Sequence, residues 1–531
     1  MSLRLFDAHC YLGRFKHLDE RYFHAREDLL AEMDHFGIAE ALVCDTLSRE
    51  LDPRAGNPRI VDLCRDEPRL HPSWALAPPV QSLPFPLDEL PSAMADADVR
   101  AVRLFPGHLE FTLDEWCVGP ILEVMQDIRV PVLIDPTPAL KAAGRDLTDW
   151  DAMVRLCKAF PDLPIIAAEQ RWYWRDRTFY PALEACENLH LELSAFWMFR
   201  GIEFVCREYG AHRLLFGTRL PVRDAGATVA QLQYAEISDE EKQAIAGDNL
   251  RQMLDLDPQP IEQVAPDPGL GTWYSAVRAA QEPFAGETLV DIHAHIGPGS
   301  PYFLPDSEPD QLVRQMDRHG ISKMVSFAFA GMNADWAWGN DFAHQAACDH
   351  PGRILPLAQV NLWDDAEMTR EMERCCDEFG FWGVKLHPWW NEYPETGDHV
   401  RRCCEFVNDR KLMLLNHHWG PPTALDEIAK DCPNAQLIVG HLALDAEYAR
   451  VINENDNVHI CTCLPVLRGE VEQAVKLIDT SKIMFGSDVP DLPIPIGFGS
   501  ILYARIDDEA KRAIMGVNAQ RLLEKITCAK T

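Results

Sequence analysis

The fold of this chain is indicated first by the run Thr288-Leu-Val-Asp-Ile-His-Ala-His-Ile-Gly297. An apolar, β-branched run predicts a strand, and side chains two residues apart on a strand lie on the same face. His293 and His295 are therefore expected to stand side by side at the carboxyl end of one strand. Two such imidazoles can chelate one metal ion, although a single His-x-His also occurs at ordinary polar strand ends.

Later apolar runs share this arrangement, because each ends in a histidine, a lysine or an aspartate. They are Val384-Lys-Leu-His-Pro388, Leu414-Leu-Asn-His-His-Trp-Gly420, Leu437-Ile-Val-Gly-His441 and Ile483-Met-Phe-Gly-Ser-Asp488. Helical patterns separate these runs, as in Asp310–His319, where apolar residues recur at helical spacing before Gly320. Parallel strands that each present a polar group at the carboxyl end are typical of the catalytic face of a (β/α)8 barrel, an α/β fold of the TIM type.

The first half of the chain repeats the second. Phe6-Asp-Ala-His-Cys-Tyr-Leu-Gly13 matches Val290-Asp-Ile-His-Ala-His-Ile-Gly297, and Leu215-Phe-Gly-Thr-Arg219 matches Met484-Phe-Gly-Ser-Asp488, with offsets of 284 and 269 residues. A period near 270 residues is the size of a whole barrel. The sequence therefore predicts two tandem (β/α)8 barrels, over residues 1–255 and 286–531, joined by a proline-rich and glycine-rich linker over residues 256–285.

Together these motifs resemble the amidohydrolase superfamily. The likeness rests on Asp-x-His-x-His on the first strand, followed in order by Lys-Leu-His-Pro, His-x-Gly, Gly-His and Phe-Gly-Ser-Asp. It is closest to the branch called amidohydrolase 2, which includes metal-dependent hydrolases and non-oxidative decarboxylases of the aminocarboxymuconate-semialdehyde and resorcylate types. The resemblance covers residues 286–531 well and implies one divalent metal ion bound in that barrel.

The metal ligands that the resemblance implies are His293, His295, a fifth-strand histidine and Asp488. His418 fits the family's His-x-Gly pattern, whereas the strand register leaves His417 open, because neighbouring strand residues face opposite sides. Both histidines therefore stay candidates. Zinc is the expected ion, with manganese and iron as alternatives.

The same resemblance implies roles for further residues of the second barrel. His441 corresponds to the family's catalytic histidine, and Asp488 would also accept a proton from a water whose pKa the ion lowers. Lys385 and His387 are expected to face the substrate. Trp389 and Trp390 would stack on a planar substrate, or else cap the barrel.

The first barrel has lost most of this set. It keeps His9, but Tyr11, Glu169 and Arg219 stand at the other ligand or catalytic positions, with Asp135 near the place of the fifth-strand histidines. An arginine in place of a carboxylate ligand puts a fixed positive charge beside the ion position. We therefore expect residues 1–255 to fold without binding a catalytic metal.

The amino-acid composition limits the kinds of partner and cellular location that we expect for this protein. The net charge of −33 repels nucleic acid and anionic membranes, and no run approaches the roughly 18 apolar residues of a membrane span. With no secretion signal recognised, a cytoplasmic location is expected. The 16 cysteines are scattered and are read as reduced core residues. Cys461-Thr-Cys463 lacks a second cysteine pair at zinc-ribbon spacing and is not predicted to bind metal.

The function that follows is hydrolysis of a C–N or C–O bond in a small molecule, cyclic and aromatic ones included, by a metal-activated water. Decarboxylation is the first alternative, since it uses the same ligands and needs a substrate carboxylate near the ion. A binding or scaffold protein with two inactive barrels is the alternative from another class. The two barrels are expected to pack against each other as a fused pseudo-dimer, with homo-oligomer formation left open.

Overall fold

The structure is a computed structural model of the 531-residue chain. It describes residues 3–16, 19–78, 80, 86–136, 148–168, 176–257, 264–281, 283–299, 303–442 and 444–530.

The chain divides into two compact units, each built of parallel strands and helices. The first unit comprises Met1–Asp267 and Arg278–Ala280, and the second comprises Pro268–Val277 and Gln281–Thr531. Each unit is therefore α/β, in agreement with the fold class predicted from the sequence.

The strands of the first unit are β1 (Leu5–Leu12), β2 (Ile38–Asp45), β3 (Leu70–Pro72), β4 (Trp74–Leu76), β5 (Val102–Leu104), β6 (Val132–Ile134), β7 (Ile165–Ala167), β8 (Leu189–Glu192) and β9 (Leu214–Leu215). They pair in parallel, in the order β1-β2-β3 and β4-β5-β6-β7-β8-β9. Only Ser73 separates β3 from β4, and its amide donates to the carbonyl of Val43 on β2 at 2.8 Å. The amide of Ala8 on β1 donates to the carbonyl of Phe216, just after β9, at 2.9 Å.

The helices of the first unit are α1 (Arg26–Phe36), α2 (Thr46–Glu50), α3 (Pro53–Cys64), α4 (Leu90–Asp96), α5 (Pro106–Leu109), α6 (Glu115–Asp127), α7 (Trp150–Ala159), α8 (Asp176–Ala185), α9 (Gly201–Tyr209), α10 (Ala225–Gln233), α11 (Asp239–Gln243) and α12 (Asn249–Met253). A π-helical turn, Ala244–Asp248, joins α11 to α12.

The second unit contains the strands β10 (Leu289–Ile296), β11 (Ile321–Ala328), β12 (Ile354–Pro356), β13 (Gly383–Leu386), β14 (Met413–Asn416), β15 (Gln436–Val439), β16 (Val458–Cys461) and β17 (Ile483–Met484). They are parallel, in the order β10-β11-β12 and β13-β14-β15-β16-β17, and a bridge between Ala358 and Val384 links the two groups. The amide of Ile292 on β10 donates to the carbonyl of Phe485, after β17, at 2.9 Å. The first strand thus meets the segment that follows the last one, as it does in the first unit.

The helices of the second unit are α13 (Gly271–Arg278), α14 (Pro309–Arg318), α15 (Phe329–Asn333), α16 (Trp336–Asp349), α17 (Asp365–Glu373), α18 (Asp398–Arg410), α19 (Pro422–Asp431), α20 (Ala446–Glu454), α21 (Glu470–Leu477), α22 (Ile494–Tyr503), α23 (Asp508–Arg512) and α24 (Asn518–Lys530). The helix expected over Asp310–His319 is α14, and the left-handed Gly320 (φ 69°) follows it. A π-helical turn, Ala513–Val517, precedes α24.

Helix α13 falls in the segment that the sequence predicts as a linker, yet its first turn is bonded to the body of the second unit. The Asp508 carboxylate accepts hydrogen bonds from the amides of Thr272 (2.7 Å) and Trp273 (3.2 Å). The buried Trp273 ring meets Phe284 edge to face, with 5.6 Å between centroids. This packing explains why residues 268–277 group with the second unit.

The sequence led to predictions about membrane-spanning segments and about the state of the cysteines, and the structure bears on both. Among the helices that the structure describes, none is both long and apolar enough to cross a membrane. Every cysteine whose side chain is described is free, most of them are buried, and none forms a disulfide.

Candidate metal centre

The first and last strands of the second unit are fastened together at their carboxyl ends by Asp291. One carboxylate oxygen of this buried residue accepts hydrogen bonds from the amides of His293 and Ser487, both at 3.1 Å. The other oxygen accepts one from the Ser487 hydroxyl. Burial raises the pKa of Asp291 to about 7. This clamp holds His293 opposite the segment that carries Asp488.

The imidazole of His293 is oriented by its own hydrogen bond. Its Nδ1 donates to the carbonyl of Gly440 at 2.8 Å, which leaves the lone pair on Nε2. Nε2 lies 3.2 Å from the ammonium of Lys385, which donates to it, and 3.4 Å from Oδ1 of Asp488. A backbone carbonyl that fixes the tautomer in this way is the usual support of a metal-binding histidine.

His295 reaches the same carboxylate oxygen. Its Nε2 lies 3.1 Å from Oδ1 of Asp488, and its ring stacks on Phe329 with 4.4 Å between centroids. Ligands about 2.0–2.1 Å from a tetrahedral ion lie about 3.3 Å from one another, close to the separations of 3.1 Å and 3.4 Å seen here. The two histidines thus both reach the Asp488 carboxylate, at distances of the order expected between ligands of one ion.

A second group of ligand atoms overlaps the first. His293, His441, Cys463 and Asp488 each offer one atom, and the four atoms lie within 4.8 Å of one another. His441 Nε2 is 3.7 Å from Cys463 Sγ. Cys463 is the residue that the sequence analysis missed. It stands two residues beyond Cys461, which ends β16, so the same-face argument that identified His293 and His295 would have found it.

The two fifth-strand histidines face different surroundings. The ring of His417 lies 4.0 Å from that of His441 and 3.9 Å from that of His387, measured between centroids. The His418 side chain is exposed. The structure therefore places the ring of His417 against His441 and His387, with the His418 ring 4.5 Å from that of His417.

The residues expected to face the substrate are only partly brought together. Lys385 and His387 are buried, and the Lys385 ammonium lies 4.5 Å from the ring centroid of Phe327. The amide of Trp390 donates to Nδ1 of His387 at 3.3 Å, whereas Trp389 is 59% exposed. Trp390 therefore belongs to the wall beside His387, and Trp389 projects to the surface.

Burial sets the protonation states of this centre. It lowers the pKa of Lys385 to about 8 and that of His441 to about 4, and it holds the pKa of His293 well below its usual value. Burial opposes the ionisation of Asp488, but the adjacent His293 and His295 hold its pKa well below the usual range. Neutral imidazoles beside an ionised carboxylate are the protonation states in which these side chains bind a metal.

The corresponding positions of the first unit form a chain of hydrogen bonds instead. His9 lies 3.2 Å from Glu192 through Nδ1 and 2.9 Å from the Tyr11 hydroxyl through Nε2. That hydroxyl donates to Asp135 at 3.1 Å. Arg219 has the same left-handed backbone as Asp488, with φ 59° and 63° respectively. Glu169, predicted to replace His441, lies outside the described residues.

Parallel strands that end in a cluster of histidines and a carboxylate, with the protonation states that bind a divalent ion, define a metal-dependent enzyme of the α/β class. The family model described as amidohydrolase matches this chain twice, over residues 8–256 and 290–525. The chain therefore belongs to the amidohydrolase family.

Several solved structures are similar to it over a little less than half of its length. A 2,6-dihydroxybenzoate decarboxylase from Rhizobium is 18% identical, with 45% of this chain and 98% of the relative covered and a TM-score of 0.36. A dihydroxybenzoic acid decarboxylase from Polaromonas sp. JS666, with bound manganese and the inhibitor 2-nitroresorcinol, is 16% identical (45% and 97% covered, TM-score 0.37). A 4-oxalomesaconate hydratase from Rhodopseudomonas palustris is 15% identical (45% and 97% covered, TM-score 0.35). No functionally curated protein matches this chain.

Proposed function

We propose that the second unit hydrolyses a C–N or C–O bond in a small molecule, cyclic and aromatic substrates included, with the help of one divalent ion. The observation that carries this proposal is the convergence of the Nε2 atoms of His293 and His295 on one carboxylate oxygen of Asp488, at 3.4 Å and 3.1 Å. His417, whose ring lies against His441, is the fifth-strand candidate for a further ligand. Zinc is the proposed ion, with manganese and iron as alternatives.

We also infer that each unit is a (β/α)8 barrel and that the two arose by tandem duplication. If β3 and β4 are counted as one strand interrupted at Ser73, each unit contributes eight strands in sequential order. The hydrogen bond between the first strand and the segment after the last one supports closure in both units. The π-helical turns Ala244–Asp248 and Ala513–Val517 stand at equivalent places and support the duplication.

In the proposed reaction, Asp488, His441 and Lys385 have separate roles. A divalent ion supplies Lewis acidity, which polarises a substrate oxygen and lowers the pKa of water. Asp488 accepts the proton of the attacking water at its carboxylate, and His441, which burial keeps neutral, relays that proton to the leaving atom through its ring nitrogen. Lys385 places a positive charge beside the cluster and orients an anionic or strongly polar substrate group. His387, Trp389 and Trp390 line the approach, where an aromatic ring can stack.

Decarboxylation remains a second candidate because of Lys385. Its buried ammonium stands 3.2 Å from Nε2 of His293, so a substrate carboxylate would find a positive charge beside the ligands. Such a carboxylate near the ion is what distinguishes the decarboxylating reaction from the hydrolytic one.

The test is elemental analysis of the purified full-length protein, followed by a screen of lactones, amides and aromatic carboxylic acids. Acid or amine release from a lactone or an amide, abolished by chelation and restored by Zn²⁺, is the expected result. Release of CO2 from an aromatic acid would replace the hydrolytic proposal by decarboxylation. A protein that holds no divalent ion and converts nothing in the screen would favour a binding or scaffold role.

A further inference from the structure

Cys463 follows β16 and lies in the cluster of ligand atoms without any part in the proposed hydrolysis. The side chain is 1% exposed, so the thiol faces the interior of the second unit. Its Sγ stands 3.7 Å from Nε2 of His441, within the group that also contains His293 and Asp488.

The four candidate ligand atoms are close enough together to hold one metal ion. The 3.7 Å from Sγ to Nε2 of His441 brings the thiol into this cluster and does not require His441 itself to bind the ion. The carboxylate oxygen of Asp488 and Nε2 of His293 complete a set of sulfur, nitrogen and oxygen atoms that all lie within 4.8 Å of one another.

The thiol of the neighbouring Cys461 makes different contacts from that of Cys463. Sγ of Cys461 donates to the carbonyl of Gly440 at 2.8 Å, the same carbonyl that fixes the His293 ring. Cys461 therefore supports the histidine from behind, whereas Cys463 lies among the ligand atoms. The two cysteines differ in surroundings although both are buried, which makes Cys461 a matched control.

The first unit offers an internal comparison. Glu192 ends β8 as Cys461 ends β16, so Ser194 occupies the position of Cys463. The hydroxyl and the backbone amide of Ser194 both donate hydrogen bonds to Glu192. The hydroxyl reaches Oε1 at 2.6 Å and the amide reaches Oε2 at 2.7 Å. The thiol at this position is thus present in the unit that keeps the histidine pair and the aspartate, and is replaced in the unit that has lost them.

We propose that Cys463 is a thiolate ligand of the divalent ion in the second unit, and that this sulfur makes the centre selective for zinc over manganese. The inference rests on the proposed function in that it concerns the same ion. On binding, the S–H bond is replaced by a sulfur–metal bond and the proton leaves to solvent. Thiolate ligands favour zinc, whereas manganese favours shells of oxygen and nitrogen.

Two measurements on the full-length protein test this assignment. X-ray absorption of the zinc-loaded protein is expected to show one sulfur at about 2.3 Å beside lighter ligands. Replacement of the ion by Co²⁺ is expected to give a sulfur-to-cobalt charge-transfer band in the near ultraviolet. The X-ray measurement needs no variant, so it decides whether a sulfur binds the ion even if a substituted chain fails to fold.

Variants then assign the sulfur. Cys463→Ser should lose the cobalt band and bind Zn²⁺ about tenfold or more weakly, with a smaller change for Mn²⁺. Cys461→Ser should keep the band. A shell of only nitrogen and oxygen in the wild-type protein, or a band that disappears with Cys461 and persists without Cys463, would overturn the inference and leave the proposed hydrolysis standing. A protein that binds no divalent ion would refute both.

Discussion

At the scale of single residues, Asp488 is the carboxylate that both His293 and His295 reach. Replacing it by Asn keeps the size of the side chain but removes the negative charge and the proton acceptor. We expect Asp488→Asn to lower turnover by about two orders of magnitude or more while the protein still folds. Steady-state kinetics and a melting curve check this, with the exposed Asp310→Asn as control. Unchanged turnover in Asp488→Asn, together with its loss in His293→Ala, would reduce Asp488 to a structural residue.

Gly486 shows how closely the centre is packed. A Cβ built on Gly486 would lie 2.9 Å from Cβ of His293 and 3.3 Å from Sγ of Cys461, so one of them must move. We expect Gly486→Ala to destabilise the protein by about 1–3 kcal/mol and to lower turnover and metal retention together. Gly119→Ala, in helix α6 with its nearest neighbour at 3.4 Å, should change stability by less than about 1 kcal/mol and leave turnover intact. Equal effects of both substitutions would argue against displacement of His293.

The sequence was informative about residues whose position follows from a local rule. His293 and His295 come together because residues two apart on a strand share a face, and Asp488 joins them because parallel strands end at the same edge. The choice between His417 and His418 depended on the direction in which the chain leaves β14, which no local pattern specifies. Cys463 was set aside because it was compared with zinc-ribbon spacing instead of with the strand that precedes it.

At the scale of elements, the ends of β1 and β10 lead us to expect a difference in metal binding between the units. Nε2 of His293 faces a carboxylate, whereas Nε2 of His9 faces the Tyr11 hydroxyl, which itself bonds to Asp135. We expect about one divalent ion per chain after dialysis, lost in His293→Ala and kept in His9→Ala. Elemental analysis of the three proteins measures it. Two tightly held ions, one of them removed by His9→Ala, would show that the first unit also binds metal.

Helix α13 depends on a single carboxylate for the start of its first turn. Burial opposes ionisation of Asp508, but hydrogen bonds from Thr272 and Trp273 lower its pKa below the usual 3.8. Asp508→Ala should cost the second unit about 1 kcal/mol at neutral pH. Because the folded pKa is depressed, this difference should persist above pH 4 and vanish as the pH falls through the folded pKa. Denaturation at several pH values checks it, and Glu509→Ala should show no such loss at neutral pH.

The boundaries of the elements were predicted unevenly. Strand β10 and helix α14 appear where the sequence placed them, because β10 is a continuous buried run and α14 buries one face at a regular helical repeat. The role of α13 was harder to predict, since its tie to Asp508 joins residues 236 apart in the chain. Prolines and glycines mark where a helix stops, but they do not reveal which body a short helix packs against.

At the scale of the whole molecule, the pairing of the two units as a fused pseudo-dimer stays a prediction. It implies that a second unit produced alone exposes an apolar surface. A chain of residues 268–531, which keeps α13, should then aggregate more readily, melt at a lower temperature or turn over more slowly than the full-length protein. Light scattering, melting and kinetics compare the two. A monomeric fragment of equal stability and activity would show that the first unit contributes nothing to the second.

The clamp between Asp291 and Ser487 joins residues 196 apart in sequence, a large part of the second unit. Closing so long a segment costs conformational entropy that is offset only once the contact has formed. We therefore expect the contact between Asp291 and Ser487 to form late in folding. During synthesis, His293 and His295 would leave the ribosome long before Asp488, which contacts both of them. A nascent chain that stopped short of residue 488 would contain most strands of the unit and still hold no ion. We therefore expect metal loading to follow synthesis of the segment that carries Asp488.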